Sequence, residues 1–155
     1  MKLNEKLWSA LTQLKNLIDS SQVLDHIYLN KKYLWMNNPG HGDLIKINFN
    51  NEAPEVVSLA CNADEHRQLK LYLSYLLFNR NDVMAKVFLH VAQTLDGKIA
   101  LNNGNSQWIG NKANRIHSHR IRALVDAVIV GGNTFRIDKP KLNVRHVEGR
   151  NPRVV

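Results

Sequence analysis

Leu3, Leu7, Leu11, Leu14, Leu17 and Ile18 recur at spacings of three and four, the period of an amphipathic helix over the first 20 residues, with Trp8 on its flank. Beyond residue 20 the pattern is less regular. "LDHIYLN" and "YLWMNN" have the length and composition of short strands, "NPGHGD" is a loop, and "LIKINFN" alternates as a half-buried strand does. A second helix is predicted from "NADEHRQLKLYLSYLLF", from Asn62, opened by an Asn or Asp cap. "NRND" then makes a polar break.

After Met84 the character changes to strand, loop, helix, strand, helix, strand. "AKVFLHVAQT" reads as an internal strand, and "DGKIALNNGNSQ" as a turn-rich loop or hairpin. A helix is predicted from about Asn111 to Leu124. "VDAVIVGG" follows as a buried-type strand, and "NTFRID" as a short helix that "KP" stops. "GRNPRVV" enters a further strand. Alternation of this kind predicts an α/β sheet, parallel or mixed, for residues 85–155, preceded by an unassigned α+β segment over residues 1–84. A sheet of two or three strands leaves edges unpaired and a face poorly covered, so either the N-terminal half supplies the missing elements or the fold is incomplete, and the second is the expectation.

Composition narrows the function classes. The chain has 155 residues, 44% apolar and 22% charged, the size of one domain with ordinary globular content. No apolar run reaches the roughly 18 residues of a membrane span, and the N-terminus lacks a signal-peptide apolar region. A single cysteine, Cys61, excludes an internal disulfide and a cysteine-based zinc cluster. A cytoplasmic protein without membrane association is the simple expectation. The net charge of +8, from 21 Lys and Arg against 13 Asp and Glu, favours acidic partners. Between Arg115 and Arg153 the basic residues are interleaved with Gly, Asn and Asp, and no zinc-finger, basic-region or RNA-binding motif accompanies them. Phosphorylated small molecules therefore rank ahead of nucleic acid.

Several residues are candidates for chemistry. Gly131 and Gly132 end an apolar strand, where a glycine pair serves either as a plain turn or as a place where backbone approaches a phosphate; Thr134 would add a hydroxyl donor. The spacing does not fit the Gly-x-Gly-x-x-Gly dinucleotide fingerprint. Gln93, Thr94, Asp96 and Lys98 cluster at a strand end, as ligand contacts or as solvated turn residues. Trp108 is a core anchor or the wall of a planar ligand site. On the helix, Arg115, His119 and Arg122 share a face, whereas His117 and His119 point apart and make a poor metal pair. Arg115 and Arg120 are expected on a solvated face. Asp138, Leu142 and Arg145 lie in "IDKPKLNVR", where a guanidinium could contact a phosphate.

Taken together, "TLDGKIA", "SQWIG", "HRIRALVDAVIVGGNT" and "DKPKLNVR" resemble, in order and spacing, the reductase domain of riboflavin biosynthesis, which is fused to a deaminase in bacterial bifunctional proteins. The resemblance covers residues 85–155 and the N-terminal part of that domain. It implies a dihydrofolate-reductase-like mixed sheet flanked by helices, and NADPH-dependent reduction of the ribose of 5-amino-6-(5-phosphoribosylamino)uracil to the ribitylamino product. It further implies cofactor contacts at Gln93, Trp108, Gly131, Gly132, Thr134 and Asp138. Substrate contacts would be Ser106, Arg122, Leu142 and Arg145, and the family's tendency is to a homodimer. No residue is implied as a nucleophile, and no metal. Thr94, His90, Lys139 and Asn143 depart from the family pattern. A second glycine-rich segment of the family and the zinc deaminase signature are not in the sequence, so no deaminase activity is expected. The alternative expectation is a weakly active or inactive remnant that binds nucleotide or protein.

Overall fold

The computed structural model describes residues 4–20, 26–40, 43, 45–49, 55–58, 61–77, 85–106 and 110–155, with the side chains of Val56 and Ser58 outside the description. Among these residues the chain is a mixed α/β protein: α1 (Glu5–Asp19), β1 (His26–Leu29), β2 (Trp35–Met36), β3 (Ile45–Asn48), β4 (Glu55–Ser58), α2 (Ala63–Leu76), α3 (Lys112–Leu124), β5 (Ala127–Val128), α4 (Gly132–Asp138) and β6 (Arg153–Val154).

The leucine period of the first helix does what it predicts. Leu7, Leu11 and Leu14 are fully buried, and Trp8, expected on the flank, is only 5% exposed. Asn4 caps the helix by accepting from the backbone N–H of Lys6. Strands β1 to β4 form an antiparallel sheet in the order β2-β1-β3-β4. Its register pairs Ile27 with Ile47 and Leu29 with Ile45, four buried side chains that join the leucines of α1 in one core. Trp35 fastens sheet to helix by donating from Nε1 to the carbonyl of Ala10 at 2.7 Å. Helix α2 opens on a reciprocal capping box between Asn62 and Glu65, and sends Leu69, Tyr72, Leu73 and Leu76 into the same core.

Helix α3 starts at the expected place, with Asn111 as N-cap, and adds Ala123 and Leu124 to that core. The two parts of the chain thus bury their apolar residues together. Strands β5 and β6 pair in parallel, as the alternation predicts, and α4 runs between them. Lys139, at φ 43°, ends α4 in the left-handed region directly before Pro140, the stop anticipated from "KP".

Three expectations are corrected. Residues 85–94 form no strand among the described residues, because no neighbouring strand there offers them a ladder. Their alternation survives: Phe88 stacks on Tyr75 and His90 reaches α3, while Val87 and Leu89 are 78% and 90% exposed. The strand expected from "VDAVIVGG" is not of the buried type: it is two residues long, Ala127 is exposed, and Ile129 lies 73% exposed. Nor, among the described residues, is there one mixed sheet: the antiparallel and parallel strands belong to separate sheets. The sequence pattern also does not single out β4, whose "EVVS" is too short to show a period.

Candidate anion site on helix α3

Helix α3 carries two stripes that face different neighbours. His117 and Arg120, three apart, meet the N-terminal half, and His119 and Arg122, also three apart, meet the stretch 143–146.

On the first stripe, Tyr72 Oη lies 3.0 Å from His117 Nδ1 and accepts from Arg120 Nη1 at 3.3 Å. The Arg120 guanidinium also sits 5.7 Å from the ring centres of both Trp8 and Tyr72, close enough for cation–π attraction. Arg120 is therefore part of the packing, not the solvated face expected for it. Its Nε is buried without a hydrogen-bond partner among the described residues. Burial, with the nearby His90 and Arg120, holds the His117 pKa below the usual imidazole range. His90, on the 85–94 stretch, contributes an Nε2 3.3 Å from Ser118 Oγ.

The second stripe is the one with chemistry. Arg122 is half-buried and donates from Nη1 to the carbonyl of Asn143 at 3.4 Å. Arg145 donates from Nη1 to Oδ1 of the same Asn143 at 2.8 Å. Asn143 therefore bridges two guanidiniums, and no carboxylate pairs with either among the described residues. His119 lies beneath them, 3% exposed, accepting the Arg145 backbone N–H on Nδ1 at 3.1 Å, with the His146 ring edge-on at 4.5 Å. Burial, then Arg122, His146 and Arg145, push the His119 pKa down to about 4. The imidazole is thus neutral at physiological pH, leaving the charge to the arginines. Burial and the facing Arg145 likewise lower the Arg122 pKa. Two uncompensated cations on one side of a helix form a site for an anion, and a planar guanidinium pair suits phosphate or carboxylate oxygens.

The other predicted site residues are more dispersed. Leu142, adjoining Asn143, is half-buried at φ 48°. Gly131 is the N-cap of α4 and Gly132 its first residue; a Cβ at either would meet nothing within 4 Å among the described residues. Thr134 and Asp138 are exposed in α4, four residues apart on one face. Gln93 and Ser106 are exposed on the 85–106 stretch, whose turns place Gly97 and Gly104 at positive φ. Thr94 there bonds Asp96, and Lys98 pairs with Asp96 at 3.0 Å, so these two charges satisfy each other. Trp108 lies outside the described residues. Sequence reasoning missed His119 as the support of Arg145, Asn143 as the bridge, and His146. The signal available was the His119–Arg122 spacing followed by "NVRH". A separate cleft of about 600 Å³ lies between α1 and the entry to β5 and β6, where Lys15 pairs with Asp126 at 2.9 Å and Arg150 approaches Asp19 at 3.9 Å. Its charges are largely matched within the protein.

The comparisons with known proteins fall on this half of the chain. A family model described as the RibD C-terminal domain matches residues 85–155. The riboflavin biosynthesis protein PYRR of Zea mays is 52% identical over 64 residues, covering 41% of this chain and 10% of that protein. RibD of Aquifex aeolicus is 48% identical over 61 residues, covering 39% and 17%. RibD of Chlamydia muridarum is 36% identical over 84 residues, covering 54% of this chain and 23% of that protein. Among solved structures, a diaminohydroxyphosphoribosylaminopyrimidine deaminase/5-amino-6-(5-phosphoribosylamino)uracil reductase of Thermotoga maritima matches at 47% identity and a TM-score of 0.39, covering 41% of this chain and 18% of that one. The chain thus spans less than a quarter of the length of each of these relatives. Residues 85–155 are thus similar in sequence to the RibD C-terminal domain and to riboflavin-biosynthesis proteins of plants and bacteria.

Proposed function

We propose that residues 85–155 serve as reductase sequence of riboflavin biosynthesis, in a dihydrofolate-reductase-like setting, acting on the ribose of 5-amino-6-(5-phosphoribosylamino)uracil with NADPH as reductant. One observation carries the reading: Arg122 and Arg145 are bridged by Asn143 over a neutral His119, with no carboxylate paired to them among the described residues. A phosphate monoester brings the negative charge this pair lacks, and its oxygens match guanidinium geometry. The substrate's sugar would be oriented from its phosphate end, with Leu142 and Ser106 as further contacts.

The residues on α4 fit a dinucleotide. A Cβ at Gly131 or Gly132 would meet nothing within 4 Å among the described residues; the Thr134 hydroxyl can donate to a phosphate, and the Asp138 carboxylate, on the same face, suits a ribose hydroxyl. Gln93 and Trp108 complete the proposed cofactor contacts. The reduced nicotinamide supplies the hydride when bound, so the chain's own work is to bind, orient and keep the phosphate in register.

The dispersion of Gln93 and Ser106, both exposed on a stretch without a ladder, favours a second reading: a module that binds the phosphate without turnover. The deciding experiment follows oxidation of NADPH with the phosphoribosylamino substrate, alongside direct binding of ribose 5-phosphate to the wild type and to Arg145→Ala. Substrate-dependent oxidation lost in Arg145→Ala supports the reductase. Ribose 5-phosphate binding without oxidation supports the module, and no binding overturns both.

A further inference from the structure

The stretch that carries Arg145 is held from outside the family-matched half. Trp8, in α1, donates from Nε1 to the carbonyl of Glu148 at 2.9 Å across 140 residues of sequence. Indole N–H is a donor only, so the direction of this bond is unambiguous. The Trp8 ring is 5% exposed, edge-on to Tyr72 at 5.6 Å, and lies under the Arg120 guanidinium. Three other ties hold the stretch: Val144 N–H to Asn151 Oδ1, Arg145 N–H to His119 Nδ1, and the close seat of Gly149 on Ala123. The helix they rest on is itself embedded by Ala123 and Leu124 among Leu7, Leu11, Leu14, Leu69 and Leu73.

Two guanidiniums with no carboxylate paired to them among the described residues repel, and Arg145, the exposed one, is the less held by burial. Asn143 offsets some of this, but it belongs to the same stretch and moves with it. A fixed hold must come from other elements: α3 supplies His119 and the seat on Ala123, and α1 adds the bond that ties the far end of the stretch at Glu148. We propose that the N-terminal half is a built-in clamp for the anion site, with Trp8 as the positioning residue that holds residues 143–149 against α3. The inference rests on the reading of Arg122 and Arg145 as a phosphate site. It gives residues 1–77 a task in that site.

The test uses the full chain labelled with nitrogen-15, wild type, Trp8→Phe and Ile47→Val, titrated with inorganic phosphate and read at the Arg145 amide. Ile47→Val is the packing control, since it trims a buried side chain on β3 and leaves α1 and Glu148 untouched. In Trp8→Phe the Arg145 amide should already be displaced before phosphate is added, and affinity should fall roughly five- to tenfold, the worth of one hydrogen bond. Ile47→Val should keep its affinity within about twofold of the wild type. An unmoved Arg145 amide in Trp8→Phe, or equal weakening in Ile47→Val, overturns the clamp. A wild type that ignores phosphate defeats the site reading, while the ligand-free amide comparison still decides whether Trp8 positions the loop. Should Trp8→Phe not fold, the wild-type indole N–H is the reporter: slower hydrogen exchange on saturation with phosphate supports the coupling, and unchanged exchange overturns it.

Discussion

His119 Nδ1 accepts the backbone N–H of Arg145 at 3.1 Å, so a buried imidazole must stay neutral to keep an exposed cation in place. Its folded pKa of about 4 lies below the ordinary 6.5. A neutral base with a depressed folded pKa contributes fully above pH 6.5, and the contribution drains away as pH falls from there toward 4. The loss is at most about 2 kcal/mol once solvent screening around the exposed loop is included. Urea melts of the wild type at pH 7.5 and 4.5 should differ accordingly. In His119→Asn, whose Oδ1 replaces the acceptor without titrating, that part of the pH dependence should vanish.

Arg122→Lys keeps the charge but gives up the planar fork and the bond to the Asn143 carbonyl. Affinity for ribose 5-phosphate should drop roughly tenfold, in line with one lost charge-assisted bond. The melting temperature should change little, because a Lys stem still covers the same apolar surface. Isothermal titration beside a thermal melt checks both.

Gly149 has a sharper constraint than the two glycines of α4. It sits at φ 147°, and a Cβ there would come within 2.4 Å of Ala123 Cβ. Gly149→Ala should cost about 2–4 kcal/mol, from backbone strain and overlap together. Adding Ala123→Gly should recover only the overlap, less about 1 kcal/mol for glycine inside a helix. A double-mutant cycle by chemical denaturation reads the difference.

Tyr72→Phe removes the hydroxyl that His117 and Arg120 share. With Arg120 Nε already unpartnered, the guanidinium loses a further bond at a half-buried position, and about 1–2 kcal/mol of stability should go with it. Denaturant unfolding should show that loss without a change in slope.

Helices were the legible part of this chain. The leucine period of α1, the Asn62 cap of α2 and the Asn111 start of α3 are local signals, and each element forms where its sequence says. Residues 85–94 have equally strong strand character, yet a strand exists only through a neighbour's hydrogen bonds, and sequence pattern cannot supply the neighbour. The site divides similarly. Arg122 and Arg145 were found from their motifs. The bridge at Asn143, which looked like a mere departure from the family pattern, and the support from His119 depend on how the 143–149 stretch folds back on α3. Arg120 was misread because a cation on a helix is usually solvated, and only the tertiary fold brings Trp8 and Tyr72 beneath it.

The bond from Trp8 to Glu148 has a kinetic consequence. It spans 140 residues, and the Lys15–Asp126 pair spans 111, so the first helix finishes its packing against some of the most distant sequence. Closing loops of that length comes late and slowly, since the entropy of closure is spent before the contact is made. The antiparallel sheet and α2 can assemble earlier from nearer neighbours, leaving α1 half-covered until residues 123–149 arrive. Refolding followed at Trp8 should therefore lag behind refolding followed by backbone circular dichroism.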